Sequence, residues 1–227
     1  MLSFDLKGHE LARCTLGEED PRDALGLTHD GLIDVGSGRQ RVRFGADGTR
    51  QDVRALVADF AVPRPEASGY WGVQDDVLVR CTDDGTIELR HERRPDGQGF
   101  TGIAALALAS DGSLAVLQGQ RSQPESATQA LTAAALTLYE PDGETGRVLE
   151  LPAEVAIDSF SYQGGRVLFA DPASAQFLEV KTGRRFVLDL RQLSPSERDV
   201  FALSTDGRTL WVLRPSQRGL RGFELPR

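Results

Sequence analysis

The chain has 227 residues, of which 34 are acidic and 26 basic, so its formal net charge at pH 7 is −8. A chain of this length buries enough surface to fold as one large β domain without a disulfide or metal staple. The negative charge argues against a nucleic-acid partner, because phosphate binding needs a net attractive patch. One local cluster of basic residues lies near the C-terminus without a run of aromatic residues: Arg214, Arg218, Arg221 and Arg227.

The N-terminal residues lack the apolar stretch of a secretory signal. No segment approaches the run of about eighteen apolar residues that a membrane-spanning helix needs. We therefore expect a cytoplasmic protein without a membrane partner.

Cysteine and histidine are scarce. Cys14 and Cys81 are the only cysteines, and we expect both to be reduced, buried thiols on strands. The three histidines, His9, His29 and His91, are far apart, and no Cys/His cluster has the spacing of a metal site. The sequence therefore predicts no metal and no cofactor.

Asp-Gly pairs are the strongest local signal along the chain. Such pairs favour the type I′ turns of β-hairpins, which need positive φ at both central residues. Their spread predicts a meander of short antiparallel strands with few or no helices. The seven pairs are Asp30-Gly31, Asp47-Gly48, Asp84-Gly85, Asp96-Gly97, Asp111-Gly112, Asp142-Gly143 and Asp206-Gly207.

Five segments repeat one pattern, in which a short apolar strand, a polar turn and a more apolar strand follow each other. The second strands begin near residues 32, 77, 114, 167 and 210, with gaps of 45, 37, 53 and 43 residues. Four-stranded propeller blades take about 40–45 residues each. The second repeat shows no convincing fourth strand and the fifth has none. Residues 2–6 and 10–16 read as strands that would complete the last blade from the N-terminus.

The repeats also predict which side chains form the core. The alanine-rich segment 125–138 is the one helix candidate, and we favour a loop that runs into a strand. The core positions expected from the alignment of the repeats are Leu108, Leu114, Val116, Val167, Phe169, Phe201, Leu203, Leu210 and Val212.

Two segments resemble the blade core of WD40-like, TolB-like and quinoprotein-like propellers: Ser110-Asp111-Gly112 with the strand through Val116, and Thr205-Asp206-Gly207 with the strand through Val212. The resemblance implies an all-β chain, a β-propeller of about five four-stranded blades that forms a single domain over residues 1–227. A β-sandwich, which also uses many hairpins, is the alternative.

Enzymatic chemistry has weak support in the sequence. Gly99-Phe100-Thr101-Gly102 is similar to the blade opening of esterase-like phytase propellers, but Thr101 stands where the resemblance expects an acidic residue. Lactonase propellers bind a cation partly through Asn, and this chain has no Asn. We assign no catalytic residue and expect a non-enzymatic binding scaffold, with a lactonase- or esterase-like hydrolase as the alternative.

The longest polar connection, Gln118–Gln129, is the first candidate for binding, because long loops are disproportionately functional. We expect it to lie on the long-loop face of the propeller, opposite the tight turns. The partner would be a protein or a small molecule. The residues predicted to contact it are Gln118, Gln120, Arg121, Gln123, Asp171, Arg214 and Arg218.

Overall fold

The computed structural model describes most of the chain. Its described residues form two compact units, Met1–Arg93 and Arg94–Arg227. The described residues are 2–4, 10–13, 24–27, 33–37, 40–45, 47–64, 67–121, 130–151, 154–156, 158–171, 173–191, 199–214 and 219–226. The single domain expected over 1–227 stays a prediction.

Unit 1 contains a two-stranded hairpin and two four-stranded antiparallel sheets, in which neighbouring strands are consecutive in the chain. The hairpin pairs β1 (Leu2–Phe4) with β2 (Glu10–Arg13). Sheet I consists of β3 (Ala24–Leu27), β4 (Ile33–Ser37), β5 (Gln40–Phe44) and β6 (Arg50–Ala55). Sheet II consists of β7 (Phe60–Pro63), β8 (Tyr70–Gln74), β9 (Val77–Cys81) and β10 (Ile87–His91).

Unit 2 contains three antiparallel sheets of the same meander type. Sheet III consists of β11 (Ile103–Leu108), β12 (Leu114–Arg121), β13 (Ala130–Tyr139) and β14 (Gly146–Glu150), with β15 (Glu154–Ala156) on β13. Sheet IV consists of β16 (Ser159–Gln163), β17 (Arg166–Ala170), β18 (Ser174–Glu179) and β19 (Arg185–Asp189). Sheet V consists of β20 (Val200–Leu203), β21 (Thr209–Arg214) and β22 (Gly219–Glu224).

The all-β prediction is confirmed, and the alanine-rich segment is a strand, β13, over its described part. The sandwich alternative requires two sheets, whereas the described residues form five sheets and a hairpin. Residues 2–4 and 10–13 are strands, as expected, and they pair with each other. Their completion of the last blade stays a prediction.

The repeat alignment is right for four sheets and wrong for sheet II. The second strands of sheets I, III, IV and V begin at residues 33, 114, 166 and 209, close to the predicted positions. In sheet II, β8 is the second strand and β9, which begins at Val77, is the third. The first strand is β7, whose pairing of Phe60 with Val73 the sequence analysis missed. All four residues of Phe60–Pro63 are half-buried, so β7 lacks the alternation that marks a strand with one buried face. Its last residue is a proline, which is uncommon within sheets.

The Asp-Gly turns are real, but their predicted type is wrong. Only glycine has positive φ in the described pairs, and the described non-glycine residues with positive φ are Asp75, Asp76 and Ala133. In the 204–209 turn, Gly207 N donates to Ser204 O at 2.8 Å and the Asp206 carboxylate accepts from Arg208 N at 3.0 Å. The aspartate side chain therefore serves these turns by accepting a hydrogen bond from a backbone N–H, as in Asx turns. Asp30-Gly31 lies outside the described residues.

Strand β17 of sheet IV shows how unit 2 holds together, because side chains on both of its faces are buried. Val167 and Phe169 pack into a cluster with sheet III, including Leu117 and Leu136. The alternate residues of the same strand, Leu168 and Ala170, pack into a second cluster with sheet V. Side chains alternate between faces of a strand, so one apolar strand serves two interfaces.

The predicted core is largely confirmed. Eight of the nine expected anchors are buried, and Leu108 is only half-buried. Cys81 is a free, buried thiol, as expected, and burial raises its pKa. Cys14 lies outside the described residues.

The tight turns between first and second strands are joined to one another in unit 2. The Gln163 side chain accepts from Ser110 N at 3.0 Å and donates to Leu108 O at 3.1 Å, which links sheet IV to sheet III. Gly164 lies so close to sheet V that a Cβ there would be 2.3 Å from the Asp206 carbonyl carbon and oxygen. Arg166 donates to Gly207 O at 3.2 Å across the same junction.

The pair Gly164 and Gly165 offers a matched test of this junction. Both have positive φ, 55° and 72°, but a Cβ on Gly165 would meet nothing within 4 Å. Gly165→Ala should cost about 1–2 kcal/mol of backbone strain. Gly164→Ala should cost about 1–3 kcal/mol more, because backbone atoms must move to make room. Urea unfolding measures both free energies, and equal losses would show that the turns are not in contact.

Candidate functional site

Strands β12 and β13 of sheet III are the longest described strands, with 8 and 10 residues. Their outer parts pair Gln120 with Thr132 and Arg121 with Leu131, and β15 adds a third strand alongside. We call residues 119–121, 130–134 and 154–156 the arm of sheet III. Part of the predicted loop Gln118–Gln129 is therefore strand, and residues 122–129 lie outside the described residues.

The arm is anchored in the core of unit 2. Leu131 is 0% exposed and Val155 is 1% exposed, and both belong to the cluster between sheets III and IV. Gln120 and Arg121 are exposed on the neighbouring strand. The arm thus presents polar side chains from a rigid base, as binding residues on regular elements require.

A β-bulge lies at the base of the arm. The register shifts between Gln118 and Gln120, so Ala133 and Ala134 face the single residue Gly119. Ala133 has φ of 49°, a conformation that favours glycine, and its side chain is exposed. A Cβ on Gly119 would lie 3.0 Å from Thr132 O and 3.2 Å from the Cα of Ala134. Bulges redirect strands and occur beside functional sites, and strained residues cluster there too.

The backbone strain at Ala133 predicts that substitution by glycine does not destabilise the fold at this position. Ala133→Gly should leave the free energy of unfolding unchanged or raise it by up to about 1 kcal/mol, since glycine adopts positive φ freely. Ala134→Gly should lower it by about 1–2 kcal/mol, because it removes a buried methyl group and frees the unfolded chain. Chemical denaturation compares the two variants, and a clear loss for Ala133→Gly would contradict the bulge.

The structure buries some of the predicted site residues and exposes others. Gln118 is 4% exposed, and its Oε1 has no hydrogen-bond partner among the described residues, so it lies inside rather than on the surface. Asp171 is half-buried, and its Oδ1 accepts from Ala173 N and Ser174 N, each at 2.6 Å, so its carboxylate shapes the turn into β18. Gln120 and Arg121 remain accessible. Gln123, Arg218 and the side chain of Arg214 lie outside the described residues.

Three predicted site residues lie at or just after the C-terminal ends of the second strands of sheets III, IV and V, namely Arg121, Asp171 and Arg214. The tight turns of sheets III, IV and V are linked through Gln163, Gly164 and Arg166. Because each sheet is an antiparallel meander, these strand ends lie opposite the tight turns of the same sheets. The grouping of the long connections on one face stays a prediction, because most of their residues lie outside the described part of the chain. Sequence reasoning missed Ala133 and β15, although Gly119 within an apolar strand is a bulge signal.

The perturbed aspartates belong to turns. The hydrogen bond from the Thr49 hydroxyl, 2.6 Å from Asp47 Oδ1, holds the pKa of Asp47 below its usual value. The hydroxyl groups of Thr82 and Ser204 lower the pKa of Asp84 and of Asp206 in the same way. These shifts reflect local hydrogen bonds to the ionised form, not a catalytic pair.

These lowered pKa values predict a dependence of stability on acid. A carboxylate with a depressed folded pKa stabilises the fold above its unfolded pKa, about 3.9, and this contribution is lost as the pH falls through the folded pKa. The triple variant Asp47→Asn, Asp84→Asn, Asp206→Asn keeps the oxygen acceptors but cannot titrate. Below about pH 4, its free energy of unfolding should fall less steeply than that of the wild type. Asp206→Ala, which also removes the acceptor, should already lose stability at pH 7. Parallel acid profiles for the wild type and the triple variant would refute this account.

Two buried arginines join the sheets of unit 1. Arg41 and Arg43 on β5 each contact Asp83 Oδ1 at 3.2 Å. Burial raises the pKa of Asp83, but the two guanidinium groups outweigh it and lower the pKa overall. Arg41 also lies 5.4 Å from the ring centroid of Tyr70. This cluster connects sheet I to the turn after β9 and reads as a structural ion-pair network.

Among the described residues, no group of three or more His, Cys, Asp or Glu side chains is arranged to hold a metal ion. In the same part of the chain, no helix has the length and apolar character to cross a bilayer.

Comparison with known proteins places the fold among WD40-like β-propellers. The WD40 domain of Neurospora crassa Pan2 matches 93% of this chain with a TM-score of 0.58 and 11% identity, and 65% of that domain is covered. U3-55K matches 98% of the chain (TM-score 0.56, 11% identity, 73% of that chain), and Saccharomyces cerevisiae Sqt1 matches 100% (TM-score 0.51, 11% identity, 66% of that chain). The chain spans about two thirds of the length of these propellers. No protein-family model and no curated protein sequence matches it.

The fold class is therefore a WD40-like β-propeller, with about five blades represented by sheets I–V.

Proposed function

We propose that the chain is a non-catalytic binding scaffold that recognises a protein partner through the arm of sheet III. The main observation in support is the pair of exposed polar residues Gln120 and Arg121 on β12. Arg121 pairs across the strands with Leu131, which is fully buried. Such an arm offers side chains and strand backbone that are already ordered, so little conformational entropy is lost on binding.

The bulge strengthens this proposal. A strained alanine costs stability, and such strain persists where the surrounding structure enforces it. Here Gly119 N donates to Gly102 O at 3.1 Å, so the strand opposite the bulge is also held by the residue that precedes β11. The bulge sets the direction in which the arm leaves the sheet.

The fold supports a scaffold only in general terms, because one fold hosts many functions. No observation on the described residues favours the hydrolase alternative. The cytoplasmic location, the small-molecule partner, and the exclusion of nucleic acid and membrane stay predictions of the sequence analysis.

Replacement of residues 122–129 by a short glycine-containing turn tests the proposal. The free energy of unfolding should stay nearly unchanged, because shortening a surface loop changes the closure entropy only slightly. The same replacement should remove the specific partner from affinity capture out of cells that express the protein, as quantified by mass spectrometry.

Two residues of the arm provide a more specific test than the loop replacement. Gln120→Ala with Arg121→Ala should weaken capture of the same partner at unchanged stability. Glu144→Ala, an exposed change in the turn at the other end of sheet III, is the matched control and should leave capture intact. An unchanged partner set after both arm variants would place recognition elsewhere, and unfolding of the loop replacement would show that 122–129 is structural.

A further inference from the structure

Asp-Gly bonds are chemically labile, and this chain contains seven of them. In an unconstrained chain the glycine nitrogen attacks the aspartate Cγ. The N–Cγ bond forms, the Cγ–O bond breaks, and water leaves with the amide proton. A second water molecule then breaks the bond between this nitrogen and the main-chain carbonyl carbon of the succinimide ring. The product, isoaspartate, has the composition of aspartate but carries one extra methylene group in the main chain.

Burial does not protect these bonds. The aspartate is exposed in each of the six Asp-Gly pairs that the structure describes, so water reaches its carboxyl group. Folding can therefore slow the reaction only through the conformation and the hydrogen bonds of each turn.

The attacking nitrogen is restrained in all six described turns. The N–H of the glycine donates to the carbonyl oxygen three residues earlier, as Gly207 N does to Ser204 O at 2.8 Å. The six distances lie between 2.8 and 3.1 Å. Because the amide proton has to leave before the ring closes, this hydrogen bond has to break first.

The carboxylate is restrained as well. In each described pair it accepts from the backbone N–H two residues after the aspartate, at 2.8–3.1 Å. It is thus bound to the amide that follows the glycine. Hydroxyl hydrogen bonds also lower the pKa of Asp47, Asp84 and Asp206, and an ionised carboxylate loses its oxygen less readily than a protonated one.

The six turns differ in a third restraint, which is a side-chain donor. The donors to Asp47, Asp84, Asp96, Asp142 and Asp206 are Thr49, Thr82, Arg94, Thr145 and Ser204. Asp111 accepts from Ser113 N at 2.9 Å and from no side chain in the described part of the chain. Its carboxylate is therefore the least restrained of the six.

We propose that these turns protect their own Asp-Gly bonds from isomerisation, and that Asp111-Gly112 is the described pair at which isoaspartate forms first in the folded chain. This position matters for the fold, because Ser110 N in the same turn donates to the Gln163 side chain that links sheets III and IV. An extra methylene group between residues 111 and 112 lengthens the turn that presents Ser110. The inference does not involve the arm of sheet III, so it and the proposed function fail independently.

Incubation of the purified full chain at neutral pH, in buffer and in concentrated guanidinium chloride, tests the proposal. Electron-transfer mass spectrometry of the peptides distinguishes isoaspartate from aspartate of equal mass. In denaturant the six pairs should react at similar rates. In buffer, the five pairs with a side-chain donor should be slower by at least about tenfold, since several hydrogen bonds must open and each contributes a factor of about 2–10. Asp111-Gly112 should give the most isoaspartate in buffer. Equal rates in buffer and denaturant overturn the proposal, and so does a maximum at another of the six pairs in buffer.

Two variants separate the side-chain restraint from overall stability, with circular dichroism as the check that both are folded. Thr49→Val removes the hydroxyl donor of Asp47 and keeps the backbone donor, so isoaspartate at Asp47-Gly48 should form about 2–10-fold faster. Thr205→Val makes the same exchange beside Asp206, whose donor is Ser204, and should leave the rate at Asp206-Gly207 unchanged. An unchanged rate in Thr49→Val overturns the proposal. So does an equal rise at all six pairs, because global unfolding would then control the reaction.

Discussion

The burial of apolar sheet faces against one another is the interaction on which unit 2 depends. In β17, Val167 and Phe169 face sheet III while Leu168 and Ala170 face sheet V. A shift of one residue in this strand would send both sets to the wrong neighbour. The turns, the Gln163 bridge and the close approach at Gly164 all serve to hold this register. Sheets stacked in this way contribute stability mainly through contacts with their nearest neighbours, as repeat proteins do.

Much of the fold could be predicted because each repeat has a local sequence pattern of short apolar strands and polar turns. Strands such as Val167–Ala170 are short apolar runs bounded by turn residues, and such runs are readable without a structure. Sheet II shows the limit. Tyr70–Val73 is buried throughout, so it looked like the first strand of a repeat, while β7 is half-buried and ends in proline. Pairing between β7 and β8, rather than any pattern within β7, makes it a strand.

The turns also show a difference between the sequence pattern and the interaction that stabilises the structure. The Asp-Gly pairs predict turns in which both residues adopt positive φ. In the structure, the aspartate instead stabilises the turn through the hydrogen bonds of its carboxylate. At the candidate site, the length of the polar connection draws attention to Gln118–Gln129, and the exposure of Gln120 and Arg121 could be expected from their polarity. The burial of Gln118 could not, because it follows from neighbours on other strands. Nor could the φ of Ala133, which the register across β12 and β13 imposes.

The Asp-Gly turns also bear on how the chain reaches its fold. Each described turn closes with bonds among residues no more than five apart, as between Ser204 and Thr209. Apart from β15, which pairs with β13, strand neighbours are consecutive within each described sheet, so most backbone pairing joins residues that are close in sequence. Short loops close quickly and at low entropic cost. Contact order is therefore low within each hairpin, and we expect the slow part of folding to be the docking of preformed sheets through their apolar faces. Until that docking occurs, every sheet exposes the surfaces that later become its core, so a folding chain is most vulnerable to aggregation after its hairpins have formed and before its sheets have met.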